Sequence, residues 1–294
     1  MFYLKYVLKN AALALQLLRR GEWRRVWAAL YARAYLGAYY LVFLVRAPFL
    51  RARTPVGPPA TLKVNTDHPV AFSSPDHLVP HGTKYNNNTN RKFVLLMHEY
   101  FRRAFPQSRL GFMDLGCSGG QLVADFAALR WTAVGLEGSD YSLRHRRANW
   151  RHLAGKNLFT CDITQPFRVQ RDQSDLRFHL ITAWEVMEHI HPNDLDRLFA
   201  NIREHLVEGG FFIASTSSSP SVIDGVELHQ TRMSHAEWQA FIARRYGDLE
   251  PADLGLKIHQ YVRFDFGEPS FLVYRKRAFS PEVVAGQKSA PARL

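Results

Sequence analysis

The sequence predicts an α/β fold: a doubly wound, mostly parallel sheet with helices on both faces and a helical segment ahead of it. Three observations carry that expectation. From Arg91 onward, apolar patterns of helical and of strand length alternate. The run Met113-Asp114-Leu115-Gly116-Cys117-Ser118-Gly119-Gly120 joins a short apolar stretch to a helical pattern, the layout of strand, glycine turn and helix. The next apolar run, Trp131 to Leu136, ends on Glu137, seventeen residues after Gly120.

Residues 1–53 read as a basic, aromatic helical segment. Trp23, Trp27, Tyr31, Tyr35, Tyr39 and Phe43 recur at every fourth position, which makes one continuous aromatic face. The chain carries a formal charge of +12, and residues 1–55 hold ten Lys/Arg against the single acid Glu22. The remaining 28 basic and 25 acidic residues nearly cancel, which argues against a broad nucleic-acid face. The basic aromatic arm suits an interfacial helix on an anionic membrane surface. A helix packed on the protein body or on a second subunit has the same pattern. The longest uncharged apolar run, Ala34 to Val45, is too short to span a bilayer.

Residues 54–90 are rich in Pro, Asn, Thr and His, and their prolines forbid long helices. The segment reads as a linker or as a lid over a pocket, with Lys84, Tyr85 and Asn86 as candidate contacts. Residues 91–279 form the expected main domain. Its predicted elements are helix 93–105, strand 110–115, helix 119–128, strand 132–137, helix 141–150 and strand 157–161. Strand 179–184 and helix 193–206 follow, with Gly209-Gly210 as the helix stop. Strand 211–215 comes next, then a helix opened by the capping box Ser234-x-x-Glu237. Strands near 257–266 and 270–275 complete the set, and 280–294 reads as a loose tail. The two cysteines, Cys117 and Cys161, form no disulfide framework, and no secretory signal is visible. Both observations suit a reducing, cytoplasmic setting, and both thiols suit small apolar fillers.

The glycine turn and the acid at the tip of the following strand suit an adenosine-containing cofactor, with Glu137 accepting hydrogen bonds from a ribose diol. The glycines do not follow the G-x-G-x-x-G spacing of dinucleotide sites, which leaves a dehydrogenase as the weakest reading. Asp114, two residues before Gly116, suits a cationic ligand bearing an amino or sulfonium group.

Taken together, these motifs resemble those of class I S-adenosylmethionine-dependent methyltransferases. Asp114-x-Gly116-x-Ser118-x-Gly120 resembles the first motif of that family, with Ser118 where glycine is commoner. A serine is tolerated there if its φ stays negative. Cys161-Asp162-Ile163 resembles the third-strand motif, whose acid contacts the adenine amino group. Ile181 to Ile190 resembles the fourth-strand motif, and His205 to Phe212 the turn into the fifth strand. The resemblance covers roughly residues 91–275 and implies a Rossmann-like, seven-stranded sheet. It implies cofactor contacts from Asp114, Gly116, Cys117, Ser118, Gly120, Glu137, Gly138, Asp162, Ile163, Trp184 and Glu185. Trp184 would stack on adenine, line the methyl channel or simply pack at the strand end.

Glu185-x-x-Glu188-His189 is similar to the branch that includes ubiquinone-biosynthesis O-methyltransferases. In some members that triplet holds a divalent cation. On a helical turn Glu185, Glu188 and His189 would share one face and could bind Mg, Mn or Zn, with His229 or His235 completing the site. Without a metal, Glu188 and His189 shape the pocket, and His189 is the first candidate for general base. His191 and His229 are weaker candidates. The implied activity is methyl transfer from S-adenosylmethionine to a hydroxyl on a glycan, glycolipid or other membrane-proximal metabolite. A cofactor-binding scaffold at a membrane and a small-RNA 2′-O-methyltransferase are the alternatives.

Overall fold

The computed structural model describes residues 19–56, 61–263 and 271–278. The chain opens with helix α1 (Trp23–Arg53) and strand β1 (Leu62–Asn65). Two single-turn helices follow, α2 (Pro75–Leu78) and α3 (His81–Tyr85), and then α4 (Arg91–Ala104). Next come β2 (Gly111–Leu115), α5 (Gln121–Ala128), β3 (Thr132–Glu137), the short helices α6 (Tyr141–Arg144) and α7 (Trp150–Leu153), and β4 (Leu158–Thr160). A hairpin of β5 (Arg168–Arg171) and β6 (Ser174–Asp175) leads to β7 (Phe178–Trp184), α8 (Leu195–His205) and β8 (Leu206–Ser215). The chain closes with hairpin β9 (Val222–Ile223) and β10 (Val226–Glu227), helix α9 (His235–Arg245), β11 (Leu249–Pro251) and β12 (Phe271–Lys276).

Seven strands form the central sheet in the order β11-β12-β8-β7-β2-β3-β4. β4, β3, β2, β7 and β8 pair in parallel, while β12 runs antiparallel to both of its neighbours. This is the Rossmann-like, mostly parallel sheet expected from the sequence. Every residue of β2 and β3 is buried, as strands covered on both faces must be. One apolar cluster, with Leu198, Phe199 and Trp238, fills the face under α8 and α9. The other, with Phe93, Phe101, Phe112 and Phe126, fills the face under α4 and α5. Helix α4 owes its start to Asn90, whose side chain accepts from the Lys92 and Phe93 amides. It owes its docking to Phe93, Met97 and Phe101, which fall on one face and are fully buried. Each contributes roughly 1.5–3 kcal/mol by leaving water. The Ser234/Glu237 capping box opens α9 as the sequence predicts.

Several expectations are corrected. The single helix expected over 141–150 is broken into α6 and α7, with Arg146 and Ala148 at φ 46° and 45°. The break lets α7 dock on the glycine turn. Trp150 donates from Nε1 to the Ser118 carbonyl at 2.6 Å, and Asn149 donates its amide to the Gly119 carbonyl. The helix expected to stop at Gly209-Gly210 ends earlier, at His205, and both glycines lie inside β8. A Cβ on Gly210 would sit 3.1 Å from the His179 carbonyl, so the glycine serves a close approach to β7. Where a strand is expected near 257–266, the described residues 257–263 hold a single 3-10 turn, Ile258–Gln260, while 264–266 lie outside the described residues, and the outer partner of β12 is Leu249–Pro251. Residues 54–90 do more than link: β1 pairs antiparallel with β5, and the following turns wrap over the ends of β3 and β4.

Within residues 1–53, α1 is one helix of 31 residues that continues through Pro48. The expected helices of residues 1–18 and the tail from Ser280 lie outside the described residues. The aromatic stripe is not one exposed face. Steps of four residues drift about 40° each, so the stripe winds from solvent onto the body. Trp23, Trp27 and Tyr31 are exposed, Tyr35 and Tyr39 are half-buried beside Lys92, and Phe43 is buried in the core. Among the described residues, no helix is long and apolar enough to cross a membrane.

Candidate active site

The carboxyl ends of β2, β3, β4 and β7 open into one cavity of about 640 Å³. In an open parallel sheet this is where ligands bind, and the volume is within the range of nucleotide-sized ligands. One wall carries three acids from adjacent strands: Asp114 in β2, Glu137 at the end of β3 and Asp162 just past β4. The same cavity is lined by His189, His191 and His229, together with Asp76 and His77 from the wrapping segment, and the Asp76 charge also acts on Glu137.

The glycine turn brings backbone to that first wall. Gly116 and Gly120 adopt φ 68° and 78°, and a Cβ on either would lie 2.5 Å from Val186 or Leu158 side-chain carbon. Ser118 is also left-handed, at φ 47°, against the expectation of a negative value. Such a conformation costs a non-glycine residue about 1 kcal/mol or more. Two hydrogen bonds offset the cost. The Ser118 amide donates to Glu137 Oε2 at 2.7 Å, and its hydroxyl donates to the Asn86 carbonyl at 2.7 Å. Arg147 reinforces the junction by donating from Nε to the Lys84 carbonyl at 2.8 Å.

Each acid is buried and already partly engaged. Burial pushes the Glu137 carboxyl above the ordinary range, opposed by the Ser118 and Ser139 amides and the Thr83 hydroxyl. Burial pushes Asp114 up to about 7, opposed by the Thr182 hydroxyl at 2.6 Å and reinforced by the Glu137 charge. Asp162 Oδ1 accepts from the Thr164 amide and hydroxyl, while its own amide donates to the His68 carbonyl. Desolvated carboxylates favour a cation, and an entering positive charge would lower Asp114 and Glu137 again.

Most of the residues expected to contact the cofactor line this cavity: Asp114, Gly116, Cys117, Ser118, Glu137, Gly138, Asp162, Ile163, Trp184 and Glu185. Gly120 does not. It starts α5 and lies against Leu158. Cys117 is buried and its thiol is pushed well up by burial and by Glu137 and Asp114, and Cys161 is pushed up to about 12, so both are inert fillers. Trp184 lies at the cavity edge of the strand end. Its ring borders the cavity and packs edge-on to Phe93 at 5.5 Å, with its buried Nε1 unpartnered. Lys84 and Tyr85 are exposed, and only Asn86 of that triplet reaches the cavity.

The triplet after β7 differs from its expected shape. Glu185, Glu188 and His189 do not share one helical face. Glu185 is left-handed at φ 55° and turns to Arg263, while a 3-10 turn holds only Met187–His189. Glu188 lies behind the cavity wall, fully buried. Its Oε1 accepts from the Ser217 amide at 2.9 Å, and burial with the Glu185 charge pushes it up to about 8. Glu188, His189 and His229 keep ligand atoms within 4.8 Å of one another, and Glu185 is not part of that group. His189 does face the cavity. Its Nδ1 lies 2.7 Å from Asp76 Oδ2 in ion-pair contact, and its ring packs on His229 at 4.7 Å. Burial opposes protonation of His189, but Asp76, Glu188 and Glu185 outweigh it and raise its pKa.

Asp76 is a candidate site residue that the sequence analysis does not single out. The signal was present in Ser74-Pro75-Asp76: the Ser74 side chain caps the Asp76 amide and Pro75 fixes the first turn of α2. Thr83 and Arg263, which hold Glu137 and Glu185, carry no comparable signal.

A family model described as a methyltransferase domain matches residues 113–212. That span runs from β2 to β8 and includes the glycine turn and all three acids. No curated protein sequence matches the chain. Among solved structures, the chain is similar to an amino pentose methyltransferase from Micromonospora echinaspora. That likeness has 16% identity, covers 68% of this chain and 95% of that one, and has a TM-score of 0.43. It is similar to an S-adenosylmethionine-dependent methyltransferase from Clostridium acetobutylicum at 14% identity, over 69% and 96% of the two chains, with a TM-score of 0.43. It is also similar to a glycopeptide N-methyltransferase at 16% identity, over 65% and 90%, with a TM-score of 0.41. Likenesses of this depth bear on neither acceptor nor mechanism. The methyltransferase-domain match thus falls on the part of the chain that holds the parallel strand ends and the acid-lined cavity.

Proposed function

We propose that the chain is an O-methyltransferase that acts on a hydroxyl of a glycan, a glycolipid or a related metabolite. The observation that carries this reading is His189, ion-paired with Asp76 in the cavity that the three strand-end acids also line. S-adenosylmethionine supplies a methyl group already activated on a positive sulfonium. Glu137 would take the ribose hydroxyls, Asp162 the adenine amino group, and Asp114 the cationic end. The chain's remaining tasks are to align the acceptor, exclude water and hold a proton.

A hydroxyl acceptor must lose its proton as its oxygen takes the methyl carbon. The neutral His189 would receive that proton, and Asp76 would stabilise the resulting imidazolium. A positioned base of this kind is worth roughly 10²–10⁴-fold. Glu188, fully buried behind His189, would tune that charge without touching the acceptor. Of the expected metal set, Glu188, His189 and His229 are grouped and Glu185 is not, and the proposed route uses His189 as the base. The test is to label extract with ¹³C-methyl cofactor and identify the product by NMR, whose carbon shift separates a methyl ether from a methylamine. Recovery of only N-methylated product would overturn the hydroxyl assignment.

A further inference from the structure

Helix α1 is apolar on two opposite faces, and among the described residues one of them is covered by the body. Phe43, Ala47 and Leu50 pack into the core under α4. Half a turn round the helix lie Trp23, Trp27, Leu30, Leu41, Val45 and Phe49. These side chains are exposed, Trp27 at 67%, Val45 at 66% and Phe49 at 69%, where Phe43 is at 5%. At 31 residues the helix is about 46 Å long, so the outer face is an extended apolar strip rather than a few scattered side chains.

The charges on α1 narrow the choice of occupant. Helical periodicity puts Arg33 and Arg51 along one edge of the strip and Arg24 and Arg53 along the other. All four are exposed, and no acidic residue occurs between Trp23 and Arg53. A second copy laid on this face would bring rows of arginine together. An anionic bilayer surface instead takes the apolar strip between its headgroups and the arginines at its phosphates. The helix is not apolar enough to leave that plane and cross.

We infer that the outer face of α1 docks the protein on an anionic lipid surface. The helix is tied to the cavity side of the domain. The Tyr31 and Tyr35 rings pack edge-on to His259, at 6.3 and 5.3 Å, and the chain then runs to Val262 and Arg263 on the cavity wall.

The test uses the full chain with vesicles of phosphatidylcholine alone and vesicles containing about one third phosphatidylglycerol, read by flotation and tryptophan emission. Of the six tryptophans, Trp23 and Trp27 are exposed, whereas Trp131, Trp150 and Trp238 are buried and Trp184 is half-buried. The expected result is flotation with the anionic vesicles, weakened by salt, with a blue shift that disappears in the Trp23→Phe/Trp27→Phe chain. Leu41→Glu with Val45→Glu should lower binding at least about tenfold at an unchanged thermal midpoint, and Arg33→Ser with Arg51→Ser roughly fivefold per charge. Absence of binding at low salt would overturn the inference. So would full binding by the folded Leu41→Glu/Val45→Glu chain, or a lipid-free dimer that produces the blue shift by itself. Vesicle binding is read without methyl transfer, so it and the catalytic reading stand or fall separately.

Discussion

Two groups of cavity-lining residues, an acid set and a histidine set, are built differently. The acid set is assembled by the sheet: Asp114, Glu137 and Asp162 come from the ends of three neighbouring strands, and the parallel register brings them together. The histidine set is assembled by a contact distant in sequence, where Asp76 from the wrapping segment meets His189 from the turn after β7. A sheet-borne site is as rigid as the core beneath it. A site closed by a wrap depends on the hydrogen bonds that seat it, such as Ala71 to Gly138 and Ser118 to Asn86. The acid set should therefore govern cofactor affinity, and the histidine set the rate of transfer.

Substitutions can break that division. The largest expected effect is His189→Ala, which should cut kcat roughly 10²–10⁴-fold while leaving cofactor affinity nearly unchanged. Equal loss of affinity would show that the two sets are not separable. Glu137→Ala should weaken S-adenosylmethionine binding by about 1–3 kcal/mol in a titration calorimeter, with some loss of thermal stability because the Ser118 amide loses its acceptor.

Asp76→Asn should lower kcat about tenfold and move the pH profile. His189 acts when neutral, so the rate rises with pH through its pKa, which Asp76 raises. Removing that charge should shift the rising limb to lower pH. Asp114 gives the converse test on the acid set. Its carboxyl is held near 7 when the cavity is free, and a cationic ligand favours the ionised form. Affinity for S-adenosylmethionine should therefore increase as pH rises through about 7 and level off above it, and Asp114→Asn should flatten that rise. The smallest effect expected is Trp150→Phe, which removes the bond to the Ser118 carbonyl and should cost about 1 kcal/mol of stability in denaturant titration.

The same contrast explains what could be read in advance. The strand-turn-helix run and Glu137 were legible because each is local: an apolar strand, glycines where the backbone turns left-handed, and an acid at a strand tip. Asp162 was read through a local motif too. Ser118 was misjudged because its left-handed φ is stabilised by Asn86, a partner no local pattern announces. The break between α6 and α7 has the same origin, since the docking of Trp150 on the glycine turn overrides local helical preference. In the histidine set, His189 could be singled out, but Asp76 could not be joined to it. Helical spacing puts Glu185 on the face of Glu188 and His189, but the backbone turns left-handed at Glu185 and takes it away. The aromatic stripe of α1 was legible as a pattern, but only its packing on α4 decides which rings are free.

The most direct test of the account is transfer of tritiated methyl from S-adenosylmethionine into fractionated cell material, comparing the native chain with His189→Ala. The prediction is label entering a defined fraction with the native chain and almost none with the variant, although both bind the cofactor alike. Equal labelling by both chains, or no labelling by the native chain across all fractions, would contradict it.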